Sequence, residues 1–338
     1  MIILTNCLAH RDDEGSLKVA AKLVSGLKKR RPEIQLVTYE NESPLADHHL
    51  RLNKLMLSCK LARLLRKQKD ELFYVPLYAR MLPTAVRVFV LTLCAGRRIK
   101  VLLTMCPKPN PIGNLLMSLS GAELIVLSSK THSELNRILR NKIHYIRAGV
   151  DTQRFIPSPV DKKMELREKF HLPVDKPVVL HVGHMKYGRN VDKLLSIDEK
   201  FHVALAVSTT TAAFRDADLE EKLRAKSNIT VLDSYIPDIQ ALYQAADLYL
   251  FPVVAERNCI DVPLSAFEAA ACNLPVLATP YGELDEMMDK DGFYTIESFE
   301  PDALNAAIEN AMARKTNIRE HALPYDWENA VSDLLKLL

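Results

Sequence analysis

Residues 259–286 read CIDVPLSAFEAAACNLPVLATPYGELDE, and the organisation of the chain is read outward from them. Upstream, Asp247–Pro252 (DLYLFP) is an apolar run of strand length, and Val276–Thr279 is another. Between them lie an irregular loop, Pro263 at a position suited to a first helical turn, and a helix over Leu264–Cys272 that Asn273-Leu274-Pro275 ends. Strand, loop, helix and strand make one unit of a parallel α/β sheet, which binds ligands outside the carboxyl ends of its strands. The loop sits at that edge. First-turn amides have no intrahelical partner and carry positive potential, which suits a phosphate. Glu268, one turn further in, is a lone carboxylate among alanines and Phe267. It either accepts two hydrogen bonds from a sugar diol or is simply solvated.

A chain of 338 residues is about two domains long. At 48% hydrophobic and 26% charged residues it builds full cores, which excludes a disordered chain. Six scattered cysteines, without CxxC spacing, read as reduced cytoplasmic thiols and give neither a disulfide frame nor a zinc site. Met1–Leu4 runs straight into a strand with no signal peptide, and Val86–Ala95 is too short to span a bilayer. Charge is more informative. Residues 1–160 hold 26 Lys and Arg against 12 Asp and Glu, and the remainder 19 against 30, so the overall +3 hides a basic and an acidic half. That asymmetry points to an anionic partner on one side only.

Strands are expected at Ile2–Thr5, Ile34–Tyr39, Leu72–Val75, Ile99–Met105, Glu123–Leu127 and His144–Ile146. Helices are expected at Ser16–Lys29, His49–Lys69, Thr84–Cys94, Ile112–Leu119 and His132–Leu139. The alternation implies βαβ units and a parallel sheet. A second series starts near Pro177, after YIRAGVDTQRFIPSP (145–159), where Gly149, Pro157 and Pro159 suit a domain boundary. The strand Pro177–Val182 leads into GHMKYGRNVDKLL (183–195), a basic loop that either binds phosphate or is solvated.

The segment EAAACNLPVLAT, from Glu268 to Thr279, resembles the signature of GT-B glycosyltransferases, in particular the retaining family 4, the group 1 enzymes. The resemblance implies two Rossmann-like α/β domains with parallel sheets facing a central cleft. The acceptor-binding domain would be 1–158, joined by a returning C-terminal helix at 325–338, and the nucleotide-sugar domain 159–324. In that family the glutamate at Glu268 contacts the nucleotide ribose. An earlier glutamate, eight positions before it with seven residues between, contacts the donor sugar; here that position is Ile260, with Asp261 one residue off. The loop at Gly183 resembles the family's diphosphate-binding segment, with His184 and Arg189 at its two cationic positions and Lys186 beside them. By this resemblance the donor is held by Gly15, Ser16, Gly183, His184, Lys186, Arg189, Asp261, Val262, Ser265 and Glu268, with Arg189 and Glu268 in catalytic roles. His10, in the first loop, either reaches the cleft as a further catalytic residue or is simply solvated. Cys106 stands where the family often has an acceptor-side histidine. Trp327, Val331, Leu334, Leu335 and Leu338 form the apolar stripe of the last helix.

Two other patterns were weighed. Asp216-Ala217-Asp218 has the D-x-D form of a metal site but precedes a helix, where acidic residues are ordinary capping chemistry. The basic, leucine-rich stretch 49–69 either lies on an anionic membrane surface or packs on the core with a solvated basic face. Nucleic acid is disfavoured, because aromatics do not alternate with the cations. The expected activity is transfer of a sugar from a nucleotide-diphosphate sugar to a glycan or lipid-linked acceptor, with retention and without metal or cofactor. The expected location is the cytoplasm, peripheral to the inner face of the membrane. The alternatives are a sugar-nucleotide epimerase of the same fold and a non-catalytic nucleotide-sugar binder.

Overall fold

Short runs of Val, Ile, Leu and Tyr, buried on both faces, make the central strands of this chain, as a parallel sheet covered by helices requires. The computed structural model describes residues 1–6, 8, 14–40, 42–67, 71–77, 80–96, 99–159, 161–209 and 215–338. The chain forms two units. One holds Met1–Ala148, Ile260–Val262 and Trp327–Leu338; the other holds Gly149–Cys259 and Pro263–Asp326.

In the first unit the strands are β1 (Ile2–Thr5), β2 (Gln35–Thr38), β3 (His48–His49), β4 (Leu72–Val75), β5 (Lys100–Leu103), β6 (Glu123–Val126) and β7 (Ile143–Tyr145). They form one sheet in the order β3-β2-β1-β4-β5-β6-β7, every neighbouring pair parallel. Its helices are α1 (Gly15–Arg30), α2 (Cys59–Lys67), α3 (Met81–Ala95), α4 (Pro111–Ser120) and α5 (Ser129–Ile138). The expected helix 49–69 is shorter than its apolar pattern suggests. His48–His49 is an edge strand, and of the described residues in this stretch only Cys59–Lys67 is helical. Asn53 is the reason: its side-chain oxygen accepts from the amides of Leu55 and Leu57, a turn that competes with the helix and leaves Met56 at φ +61°. Ser58 then offers its hydroxyl to the Leu61 amide and starts α2.

In the second unit the elements are α6 (Lys162–Lys169), β8 (Val178–Gly183), β9 (His202–Val207), α7 (Ala217–Ala225), β10 (Ile229–Leu232), α8 (Ile239–Ala245), β11 (Leu248–Phe251), α9 (Leu264–Ala271), β12 (Val276–Ala278), β13 (Phe293–Thr295), α10 (Pro301–Met312) and α11 (Arg319–Ala322). The sheet order is β10-β9-β8-β11-β12-β13, again parallel throughout. Residues 149–159 pack with this unit, so the break comes ahead of the expected 158. Val150 bridges Asp326, the Asp326 carboxylate accepts from Thr152 Oγ1 at 2.6 Å, and Arg319 donates to the carbonyls of Thr152 and Phe155.

The last helix, α12 (Trp327–Leu337), rejoins the first unit against α1. Gly26 makes the close approach possible, since a Cβ there would fall 2.5 Å from Val331 Cγ2. Arg30 donates to Ser332 Oγ at 2.6 Å and pairs with Glu328. Leu334 is fully buried in this contact. Leu334→Ala is expected to destabilise the first unit by about 2–5 kcal/mol, measured by urea unfolding. A change below 0.5 kcal/mol (on the order of a surface substitution) would contradict the packing described.

Candidate functional site

The strand order of the second sheet runs from β8 to β9 and β10 on one side and from β11 to β12 and β13 on the other. Its direction reverses between β8 and β11, and a parallel sheet opens its ligand crevice at the carboxyl ends of such a pair. Two loops meet there. One follows β8 and contains the 3-10 turn Tyr187–Arg189; the other follows β11 and leads to α9. Asn258 donates its side-chain amide to the Gly188 carbonyl, and Asn190, in the left-handed region at φ +55°, donates to Pro252 O at 3.0 Å. From the other side, Asp216 accepts the Tyr187 amide at 2.8 Å and Asp218 accepts the Tyr187 hydroxyl at 2.6 Å. The D-x-D residues therefore anchor this turn, and Asp216, the residue ahead of α7, makes no side-chain capping bond to it.

Held this way, Arg189 lies over the end of β8. It is half-buried, and its guanidinium has no hydrogen bond or ion pair among the described residues. A Cβ on Gly183 would be 3.5 Å from Arg189 Nη1 and 3.0 Å from His181 Nε2, so glycine is what lets both come in. His181 is 1% exposed. Its Nδ1 lies 2.9 Å from Leu250 O, and a carbonyl only accepts, so Nδ1 carries the proton and Nε2 is a buried lone pair with no partner. Burial, reinforced by the Arg189 charge, pulls its pKa down to about 4. The imidazole is neutral at pH 7 and adds no repulsion to the guanidinium.

Helix α9 begins at the same edge. Tyr249 of β11 donates its hydroxyl to Ser265 Oγ at 2.6 Å, which leaves the serine proton for another acceptor. Burial pushes the Tyr249 hydroxyl up, so it stays a donor. Glu268 is 4% exposed, and Tyr243 of α8 donates to its Oε2 at 2.9 Å. Burial and the neighbouring carboxylate push the Tyr243 hydroxyl well up, and the same two causes push the Cys272 thiol up to about 12. The solvated reading of Glu268 is thus excluded; it is an inward-facing carboxylate. His184 and Lys186 are half-buried in the β8 loop beside Arg189.

The remaining sequence-derived residues lie in the first unit. Asp261 is buried and both its oxygens are engaged: Oδ1 accepts from the Cys106 amide at 3.0 Å and Oδ2 from Thr131 Oγ1 at 2.6 Å. Its own amide donates to Thr104 O at 3.1 Å. A carboxylate fastened in this way to α5 and to the segment after β5 acts as a structural clamp within the first unit. Val262 is fully buried. Gly15 opens α1, where Glu14 caps the Leu17 amide, and a Cβ on it would lie 3.0 Å from Ile260 Cδ1. Ser16 is buried, with its hydroxyl unpartnered. His10 lies outside the described residues. His181, Asn258, Tyr243 and the pair Asp216 and Asp218 were missed as parts of the site. Each reads in sequence as an ordinary strand, loop, helix or capping residue.

Residues 176–314 match the family model described as glycosyl transferases group 1. The chain is 26% identical over 258 residues to the D-inositol 3-phosphate glycosyltransferase of Xylanimonas cellulosilytica, covering 67% of this chain and 60% of that one. It is 24% identical over 182 residues to the GDP-mannose-dependent alpha-(1-6)-phosphatidylinositol monomannoside mannosyltransferase of Mycolicibacterium smegmatis, covering 51% and 47%. The chain spans about half the length of the curated relatives it matches. Among solved structures, Anabaena HepE in complex with UDP-glucose superposes with a TM-score of 0.76 at 16% identity, covering 100% of both chains.

The buried imidazole gives a test of this geometry. Unfolded, His181 takes up a proton near pH 6.5, and folded only near pH 4, so its contribution to stability is complete above pH 6.5 and is lost as pH falls toward 4. Urea unfolding is expected to show a loss of about 2 kcal/mol from this group between pH 7 and pH 5. In His181→Gln that part of the slope should vanish; an identical slope in the variant would contradict the assignment.

Proposed function

We propose that this chain, a GT-B fold with a group 1 glycosyltransferase match over residues 176–314, transfers a sugar from a nucleotide-diphosphate sugar to an anionic acceptor. The observation that carries the reading is the Arg189 guanidinium. A half-buried cation without a counter-ion among the described residues, at a strand end beside the amino end of a helix, suits the binding of an anion. Its planar fork suits diphosphate oxygens, with Lys186 in the same loop as a further cation and the Ser265 hydroxyl and first-turn amides of α9 opposite. Glu268 is a buried carboxylate fixed by the Tyr243 hydroxyl, and a carboxylate suits the hydroxyls of a ribose.

In the transfer, negative charge develops on the diphosphate as the bond to the anomeric carbon breaks. Arg189, Lys186 and the α9 amides stabilise that charge electrostatically, the role a divalent cation has in other transferases. We assign retention at the anomeric carbon by resemblance to family 4. We assign the acceptor to the first unit, whose residues 1–148 hold 25 Lys and Arg against 11 Asp and Glu, a net +14. The names of the relatives support an anionic acceptor, inositol 3-phosphate in one and a phosphatidylinositol monomannoside in the other. A second reading, a binder that does not transfer, has one observation in its favour. Ile260, where the family places its sugar-contacting glutamate, packs against Gly15 and brings no carboxylate.

Thermal shift with UDP, GDP, ADP and their sugars tests the donor site. A bound nucleotide at a hundred times its Kd is expected to stabilise the chain by about 2.7 kcal/mol. Arg189→Ala should weaken binding roughly tenfold to a hundredfold, while Lys200→Ala, at the other end of the sheet, should not. Undiminished binding in Arg189→Ala would overturn the donor site. Donor binding without transfer to phosphoinositol or glycolipid acceptors, and without donor hydrolysis, would favour the binder.

A further inference from the structure

Helices α3 and α4 of the first unit contain a single charged residue between them, Arg87. The inner face of α4 seats Gly113 and Met117 in the core, and a Cβ on Gly113 would come within 2.9 Å of the Leu82 backbone, so the two helices lie side by side. Outward, α4 presents Ile112, Leu115 and Leu119, which are 63%, 60% and 64% exposed, and Leu93 of α3 is 65% exposed. No other large hydrophobic side chain among the described residues is as exposed as these four. The spacing 112, 115, 119 is one stripe of a helix, on the side where a surface helix normally carries its charges. Scattered exposed leucines need no explanation, but a stripe of them does.

The border of this face is cationic. Arg87 donates to Lys54 O at 3.2 Å and so ties α3 to the 51–58 segment that leads into α2. There and on α2, Arg51, Lys54, Lys60, Arg63 and Arg66 are exposed, and none has an ion-pair partner among the described residues. Leu55 and Leu57 project between them, about half exposed.

We propose that α3 and α4, with the 51–66 segment as their basic border, form a docking face for an anionic lipid bilayer. The apolar stripe enters the boundary between headgroups and acyl chains, and the unpaired cations lie on the anionic headgroups. Neither part suffices alone: cations alone would bind any polyanion, and the stripe alone any apolar surface. The face is built wholly within the first unit and does not depend on the donor site.

Flotation of the full chain with vesicles of phosphatidylcholine, alone or mixed with phosphatidylglycerol, tests this. Binding is expected to the mixed vesicles and to fall with added salt. The double variant Leu115→Ser, Leu119→Ser should lower partitioning tenfold or more, and Arg63→Ala with Arg66→Ala should lower it by a similar factor on the mixed vesicles only. All four side chains are at least partly exposed, so the variants should fold; circular dichroism and an unchanged nucleotide thermal shift check this. Absence of binding to mixed vesicles, or equal binding by the leucine variant, would overturn the proposal. So would a dimer of the parent chain that the leucine variant abolishes, which would give the stripe to a second copy.

Discussion

A guanidinium half withdrawn from water, with no partner among the described residues, is the constraint around which the second unit is arranged. Removing a cation from water is costly unless an anion or good hydrogen bonds compensate. Arg189 is nevertheless held there by an Asn258 contact, an Asn190 contact and two aspartates that fix Tyr187. The parallel sheet makes this possible, because the reversal of strand order between β8 and β11 puts their two loops side by side. Gly183 leaves the space, and a neutral His181 keeps a second positive charge away.

Net charge does not explain this site. The proposed diphosphate site lies in the half of the chain that is acidic overall, where long-range attraction for a diphosphate is weak. Affinity there must come from local geometry: a fork, a hydroxyl with its proton to spare, and a helix end. The basic half is different. Its cations are spread over exposed surface beside an apolar stripe, which suits an extended anionic surface better than one small ion. The two halves thus solve two separate electrostatic problems.

The order of strands and helices was legible because buried parallel strands read as unbroken apolar runs. The loop after β8 and helix α9 were legible because the residues of each are close in sequence. What could not be read depended on distant partners or on a local competitor. Asp261 finds Cys106 and Thr131, 155 and 130 residues away, and no local pattern distinguishes that clamp from a donor contact. The long helix at 49–69 failed on one side chain, because Asn53 offers the backbone a turn that hydrophobic spacing does not register. His181 looked like one more residue of a core strand, and its importance comes from standing under Gly183 beside Arg189.

The central claim is that Arg189 and the amino end of α9 grip one diphosphate. A crystal structure of the chain with UDP measures this directly. The account predicts diphosphate oxygens within about 3 Å of the Arg189 nitrogens, with the Ser265 hydroxyl or a first-turn amide of α9 on the same group. A diphosphate bound elsewhere, with Arg189 still unpaired, would contradict it.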